Sequence, residues 1–216
     1  KIRLKLTSVL AIAIAFASCT STPAGDRALT TDTYTIKDVN NGVNYNADTN
    51  LSIIEWLGTK PTGKHWGDLK LLSGNVMVKK NKVIGGKMII DLNTIRSIDL
   101  ENPEMAGKLV GHLKSIDFFH VDSFPHATFE IAEINEIKNR METDMEIKPT
   151  HEVTGNLTMR GNTKGIKFYA AIEIKENEVF VKTNQFFINR TLWKVNYGSK
   201  SIFAELKDNF IHDEMG

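Results

Sequence analysis

The sequence predicts an all-β domain with one helix, and three observations support that prediction. Apolar and polar residues alternate in most segments, as in strands with one face buried and the other in water. The turn pairs Gly161-Asn162 and Glu176-Asn177 recur at hairpin spacing. Only residues 103–117 repeat with the period of a helix. About eight or nine antiparallel strands of this kind favour a barrel or a sandwich.

The first residues have the layout of an exported lipoprotein. A basic start precedes the uncharged apolar run 9–17, which is too short for a transmembrane helix of about 20 residues. Cys19, the only cysteine, follows small residues as in a bacterial lipobox, so we expect it to carry lipid and anchor the protein to a membrane of the cell envelope. An ordinary signal peptide with an incidental cysteine is the alternative. The predicted organisation is a signal peptide over 1–18, the lipidated cysteine and a flexible tether over 19–32, and one domain over 33–212.

The charge balance argues against nucleic acid as a partner. The formal net charge is +1, but the first 18 residues hold three bases and no acid, which leaves 24 basic and 26 acidic residues after them. A phosphate backbone is bound by a basic surface, which a near-neutral domain does not provide. Small or apolar ligands fit this composition better.

The strands are predicted from alternation and turn signals. They cover residues 34–39, 51–57, 69–79, 83–92, 127–137, 152–160, 166–174, 179–188 and 201–209. Gly85-Gly86 lies inside one of them and predicts a bulge or a sharp bend. Residues 138–149 form a charged excursion between two strands.

The single helix is predicted to close or flank the β-structure. Pro103 suits its first turn and Asn102 its N-cap. Its spacing predicts one inward face, with Ala106 and Val110 alongside; that face consists of Met105, Leu109, Leu113 and Ile116.

Alternation also predicts which apolar residues line the interior. The expected ligand-binding set is Ile54, Trp56, Ile90, Leu113, Phe118, Phe129, Leu157, Met159, Phe168, Ala170, Ile172 and Phe187. A register error of one residue would turn a strand's set outward. A barrel of about eight strands either fills its interior with side chains or holds one small ligand, and the sequence leaves both open.

Polar candidates for a ligand head group lie in two clusters, one over residues 56–67 and one over residues 189–198. The segments 56–60 and 63–67 place Lys64 and His65 beside glycines and tryptophans, in what reads as a loop between two strands. A glycine-rich loop with solvated lysines is the alternative. Arg190 is the third candidate, although an ion pair with an acid such as Asp91 or Asp117 is the more common role for such a residue.

No motif of a known catalytic site is present. The sequence has no Gly-x-Ser-x-Gly elbow, phosphate loop or dinucleotide fingerprint, and no histidine pair has the i, i+4 spacing of a helical metal site. We therefore predict no catalytic residue, no metal and no cofactor. Two alternatives stay open: an enzyme for a lipid-like substrate that uses His65 or His112 with a carboxylate, and a structural envelope lipoprotein with a filled barrel. The oligomeric state, monomer or homodimer, is open as well.

Several motifs in one order resemble the YceI-like proteins. They are Trp56-x-Gly-x-Lys-x-x-Gly-x-His-x-Gly67, the segment 91–99, Lys108-Leu-x-Gly-His-Leu-Lys-Ser-x-Asp-Phe-Phe119, Phe124-Pro-x-Ala-x-Phe129, the segment 153–161 and Arg190-x-x-Trp-x-Val-x-Tyr-Gly198. The resemblance runs from about residue 34 to residue 210.

The resemblance implies an extended lipocalin-like antiparallel β-barrel of about eight strands, closed partly by helix. It implies an apolar tunnel for a polyisoprenoid chain, such as a prenyl quinone or prenyl phosphate, or for another long-chain amphiphile. Family members are typically exported to the periplasm. The expected function is therefore non-catalytic lipid binding, for transport, storage or sensing.

Overall fold

The computed structural model describes residues 25–138 and 146–216. The predicted signal peptide and residues 19–24 of the tether, Cys19 included, lie outside the described residues, as does the middle of the charged excursion. Residues 26–27 and 29–31 of the predicted flexible tether form short strands. The strands are β1 (Asp26–Arg27), β2 (Leu29–Thr31), β3 (Val43–Asn46), β4 (Ile53–Lys60), β5 (Gly63–Lys79), β6 (Lys82–Ser97), β7 (His126–Glu136), β8 (His151–Met159), β9 (Asn162–Ile174), β10 (Val179–Lys182), β11 (Phe186–Asn189) and β12 (Glu214–Met215). The helices are α1 (Pro103–Lys114) and two 3-10 turns, Arg190–Trp193 and Ala204–Leu206.

The strands form two open sheets. The larger has nine strands in the order β10-β9-β8-β7-β6-β5-β3, with β2 pairing to β9 and β4 pairing to β5. The smaller has the order β1-β11-β12. The fold is thus mostly β with one α-helix, as predicted, while the strand ladders by themselves do not make a single closed barrel.

Backbone hydrogen bonds outside the ladders join the two sheets along a seam. Leu57 and Gly216 exchange N–H to carbonyl bonds of 2.8 and 3.0 Å, and the His212 N–H donates to the Thr59 carbonyl at 2.9 Å. On the other side, the Ala28 N–H donates to the Phe187 carbonyl at 2.9 Å, and the chain then continues into β2, which pairs with β9. The small sheet therefore lies between β4 and β9 of the large one.

Local signals explain the long hairpin β5–β6. Lys80 and Asn81 form its turn with φ of 50° and 57°, a conformation that matches the twist of a two-residue hairpin. Val76 pairs with Gly86 and Met77 with Gly85, but Val78 pairs with Val83, so Ile84 is left over as a bulge. A bulge in this strand was predicted at Gly85-Gly86; the structure has one, at the adjacent residue Ile84, while both glycines stay paired.

Two predicted strands are wrong and one is split. Residues 34–39 run outside the ladders, because the side-chain amide of Asn156 bonds both the N–H and the carbonyl of Tyr34, at 2.8 and 2.9 Å. Those bonds replace a strand partner. Residues 201–209 form turns around a 3-10 turn. The predicted strand 179–188 becomes β10 and β11, which belong to different sheets.

The helix begins and is capped as predicted, but its buried face differs. The Asn102 side chain accepts from the N–H groups of Glu104 and Met105 at 3.0 and 3.1 Å. Met105 is 57% exposed and Ile116 is 64% exposed, so the prediction that they press inward is wrong. The helix ends at Lys114, and its period does not extend to Ile116. Leu113 lies in the core, and Leu109 and Val110 pack against it. Ala106 is partly buried on the same helix.

The core consists of two clusters. The helix-side cluster surrounds the helix residue Leu113 and is built from Ala28, Leu69, Leu92, Ile95, Leu113, Phe118, Phe119, Val121, Ala127, Met159, Ile166, Ile188, Trp193 and Val195. The hairpin-side cluster lies near the β5–β6 turn and is built from Val76, Val78, Val83, Ile131, Val153, Ala170 and Ile172. Phe129 and Phe168 pack against both clusters, so they lie where the two meet.

Candidate ligand-binding interior

The inner faces of β7, β8 and β9 share a belt of larger side chains between the two clusters. On β9, Ile166 and Ala170 are buried, yet Phe168 between them is only partly buried. On β7 the same holds for Phe129, which lies between buried Ala127 and Ile131. A side chain that keeps accessible surface on an inner face adjoins open space at that level.

We call the four residues Phe129, Leu157, Phe168 and Phe186 the inner belt. Leu157 pairs directly with Phe129 and is also partly buried. The rings of Phe129 and Phe168 are 5.6 Å apart, and Phe168 stacks on Phe186 at 4.6 Å with an angle of 13° between planes. The belt therefore crosses from the large sheet to the small one, and its exposed surface is apolar and aromatic.

Gly155 makes room for this belt. It lies on β8 on the same face as Leu157, and a Cβ atom there would lie 2.5 Å from Cζ of Phe129. Any larger residue would displace the Phe129 ring or the strand that carries it. Gly155, one of the two glycines in the segment 153–161, thus has a packing role that its sequence context alone does not show.

Most of the predicted lining residues do pack around this interior. Those in or against the helix-side cluster are Ile54, Trp56, Ile90, Leu113, Phe118, Phe129, Leu157, Met159 and Phe168. Ala170 and Ile172 belong to the hairpin-side cluster. Ligand contact at these residues stays a prediction.

Phe187 is placed differently from the rest of the predicted set. Phe186 stacks inward on Phe168, and the next residue on the strand points to the opposite face. There the Phe187 ring is covered by Gly25 and Gly216, whose Cβ positions would lie 2.5 and 3.0 Å from it. Two consecutive phenylalanines give alternation no basis for choosing, so sequence reasoning missed Phe186.

Arg190 is buried and its donors are used by the chain itself. Its guanidinium donates to the carbonyls of His212, Val195 and Ile211 at 3.1, 2.6 and 3.1 Å, and its side chain is 3% exposed. Burial lowers the pKa of Arg190, and Asp213, 3.9 Å away, partly opposes that shift. The acid beside Arg190 is Asp213, and neither Asp91 nor Asp117, the partners suggested by the sequence, pairs with it. Arg190 holds the segment 211–213 in place with donors that a head group would need.

Lys64 and His65 lie on β5 itself, because the segments 56–60 and 63–67 are paired strand ends and not the expected loop. Trp56 pairs with Gly67 and Gly58 with His65. Lys64 is exposed, with its amine 5.3 Å from the centre of the Trp66 ring. Nδ1 of His65 lies 2.7 Å from Oδ2 of Asp99.

Asp99 is the most completely bonded carboxylate near the interior. Its Oδ1 accepts from the Trp66 N–H at 3.1 Å and from the Ser97 hydroxyl at 2.9 Å, in addition to the His65 contact. Burial raises the pKa of Asp99, but hydrogen bonds from His65, Trp66 and Ser97 lower it and together prevail, so it lies below the ordinary value of 3.8. Sequence reasoning missed this residue as a site candidate, although it ends the motif 91–99.

Two surface cavities lie under the segment 34–39, on the outer side of the sheet. One of about 260 Å³ is lined partly by Tyr34, Thr154 and Lys167, and the other of about 460 Å³ partly by Val39, Gly85 and Glu130. None of the predicted ligand-binding residues lines either of them.

Within residues 25–138 and 146–216, no three His, Cys, Asp or Glu side chains gather as a metal site would require. Among these same residues, no helix has the length and apolar character needed to cross a membrane.

Comparison with known proteins identifies relatives of this fold. A family model described as the YceI-like domain matches residues 34–215. BcnA of Burkholderia cenocepacia is 17% identical, and the alignment covers 76% of this chain and 89% of BcnA with a TM-score of 0.53. A polyisoprenoid binding domain from Saccharophagus degradans, described as implicated in plant cell wall breakdown, is 14% identical over 78% of this chain and 90% of its own length, with a TM-score of 0.54. At these identities both structures show a shared fold alone. No curated protein matches the sequence significantly.

Proposed function

This chain belongs to the YceI-like family, and from that membership and its apolar interior we propose that it binds a polyisoprenoid or another long-chain amphiphilic lipid without acting on it chemically. The Saccharophagus degradans domain, a structural neighbour, is described as polyisoprenoid binding, and this supports the proposed ligand class. The ligand would serve as cargo, as a stored lipid or as a signal.

The observation that carries the proposal is the inner belt. Phe129, Leu157 and Phe168 keep accessible surface although buried residues flank them on the same face of their strands, and Phe186, which stacks on Phe168, is also only partly buried. Apolar surface left in contact with water inside a protein is unfavourable, and an apolar chain that covers it gains about 25 cal/mol per Å². A filled barrel, the structural alternative, would leave no such surface.

We infer that the seam completes a lipocalin-like barrel around this interior. The Leu57–Gly216 bonds, the β11–β12 pairing and the Ala28–Phe187 bond give a continuous path from β4 through the small sheet to β2 and β9. A closed wall excludes water from the sides and leaves entry at the ends.

The proposal includes export and attachment to a membrane. Residues 1–18 would direct export, and acyl chains on Cys19 would keep the domain beside the lipids it binds. Labelling of cells with radioactive palmitate tests this directly: the protein is expected to incorporate label, and Cys19→Ser is expected to abolish it. Equal labelling of both would show that the anchor is wrong without affecting the binding proposal.

Ligand binding is tested by native mass spectrometry of the purified protein, before and after incubation with a prenyl quinone. We expect a co-purified or added lipid on the wild type. Leu157→Trp fills the belt and is expected to reduce uptake at least several-fold, whereas Tyr169→Trp, an exposed position on the neighbouring strand, is expected to leave it unchanged. Wild-type protein that stays empty in both experiments would overturn the proposal.

A further inference from the structure

His65 lies on the inner side of β5 where the apolar lining ends. Leu69 and Trp56 pack in or against the helix-side cluster, and Leu69, Gly67 and His65 follow each other on one face of the strand. The His65 side chain is 35% exposed, whereas that of Asp99 is 6% exposed. A buried carboxylate thus supports an accessible imidazole at one end of the interior.

The hydrogen bonds of Asp99 determine which nitrogen of His65 carries the proton. Asp99 accepts from the Trp66 N–H and the Ser97 hydroxyl, and these donors keep it ionised. A carboxylate 2.7 Å from Nδ1 requires a proton on that nitrogen. In the neutral imidazole, Nε2 is therefore a hydrogen-bond acceptor, held in a fixed orientation by the contact at Nδ1.

From this arrangement we infer that His65 Nε2 accepts a hydrogen bond from the hydroxyl head group of a long-chain lipid alcohol, with Asp99 as the positioning residue. The inference rests on the proposed function, because it places the head of a ligand whose chain occupies the interior. An ether or ester oxygen at the same place would offer no proton to Nε2. An anionic head group at the same place would lie near the negative charge of Asp99, which repels it.

The nearest lysines differ in their relation to this site. Lys64 lies on the opposite face of β5, beside Trp66. Lys60 pairs with Gly63 at the end of the hairpin and shares the face of His65, so it is the one cation of this hairpin that would favour an anionic head instead. The affinity of a phosphate ester with the same chain shows whether attraction by Lys60 exceeds repulsion by Asp99.

The test compares farnesol, its methyl ether and its monophosphate, which share one chain and differ in the head. Dissociation constants for the wild type come from displacement of a fluorescent fatty probe. Farnesol is expected to bind about threefold to tenfold more tightly than the ether, the range of one neutral hydrogen bond. His65→Phe is expected to make alcohol and ether equal, while His126→Phe, at an exposed position on β7, keeps the difference.

Each result decides something. Equal binding of alcohol and ether by the wild type overturns this inference and leaves the proposed function intact, and that comparison needs no variant to fold. If the monophosphate binds most tightly of the three, the inference of a hydroxyl head group at His65 is wrong, and an anionic head group near Lys60 is favoured instead. Failure of all three probes to bind removes the proposed function and this inference with it.

Discussion

A buried hydrogen bond of 2.6 Å joins the guanidinium group of Arg190 to the carbonyl oxygen of Val195. The same group donates to the carbonyls of His212 and Ile211, so one side chain fixes three backbone positions that follow it in sequence. Bonds from a charged donor contribute about 1.5–3 kcal/mol each, and a lysine has neither the planar fork nor the reach to replace them.

We therefore expect Arg190→Lys to lower the free energy of unfolding by about 3 kcal/mol or more. Urea unfolding followed by tryptophan fluorescence measures this free energy, since Trp193, three residues after Arg190, is fully buried. Arg27→Lys is the control, because Arg27 is half exposed and its contact with Glu214 is 3.7 Å long. Equal midpoints for the two variants would show that the Arg190 bonds contribute little.

The buried face of α1 gives a second prediction. Leu113 lies in the helix-side cluster and is 8% exposed, so Leu113→Asp places a charge in an apolar core. We expect the free energy of unfolding to fall by at least about 3 kcal/mol, as measured by thermal or urea unfolding.

Met105→Asp is the matched control on the same helix. Met105 is exposed in the first turn, where an acidic residue is favourable, so a change within about 0.5 kcal/mol is expected. If Leu113→Asp were equally harmless, the helix would be peripheral and the description of the helix-side cluster would be wrong.

Gly155 gives the third prediction. In Gly155→Ala, the new methyl group would lie 2.5 Å from Cζ of Phe129, so overpacking of about 1–3 kcal/mol is expected, together with weaker lipid uptake as the belt shifts. Gly107→Ala, in open space on α1, is expected to stabilise by about 0.5–1 kcal/mol, because alanine favours helix. Differential scanning calorimetry is expected to show a lower melting temperature for Gly155→Ala and a higher one for Gly107→Ala.

Asp99 gives a prediction about pH. Its pKa in the folded protein lies below the ordinary 3.8, so the charged form stabilises the fold. That contribution is complete above the ordinary pKa and is lost as the pH falls through the lower folded value. Asp99→Asn is therefore expected to be less stable than the wild type at neutral pH, with the difference shrinking toward strongly acidic pH. A difference that stays constant across this range would show that the charge of Asp99 contributes nothing.

Alternation predicted much of the interior, and its failures have physical causes. It placed Phe129 and Phe168 correctly on inner faces, because each is flanked by polar residues on its strand. It could not choose between Phe186 and Phe187, where both candidates are aromatic and adjacent. The segment 34–39 alternates like a strand, but side-chain bonds from Asn156, over 120 residues away, take the place of a ladder.

The polar site was harder to predict for a similar reason. The motif around His65 makes it a candidate, but no local pattern indicates that Asp99, 34 residues away, holds its ring in one orientation. Arg190 is a head-group candidate by sequence, because no local pattern shows that three backbone carbonyls accept from its guanidinium group. Long-range hydrogen bonds decided both outcomes, and a local pattern does not contain them.

The seam between the two sheets has a consequence for folding kinetics. Asp26 pairs with Phe186, and Leu57 with Gly216, each pair more than 150 positions apart in the chain. Contacts of such separation form slowly, because loop entropy is lost before the contact is gained. We expect the hairpins β5–β6 and β8–β9 to form first and the seam last, so that a nascent molecule is open along its side. A lipid present during refolding then has a lateral route to the inner belt, and loading should be greater than when the same lipid is added after folding is complete.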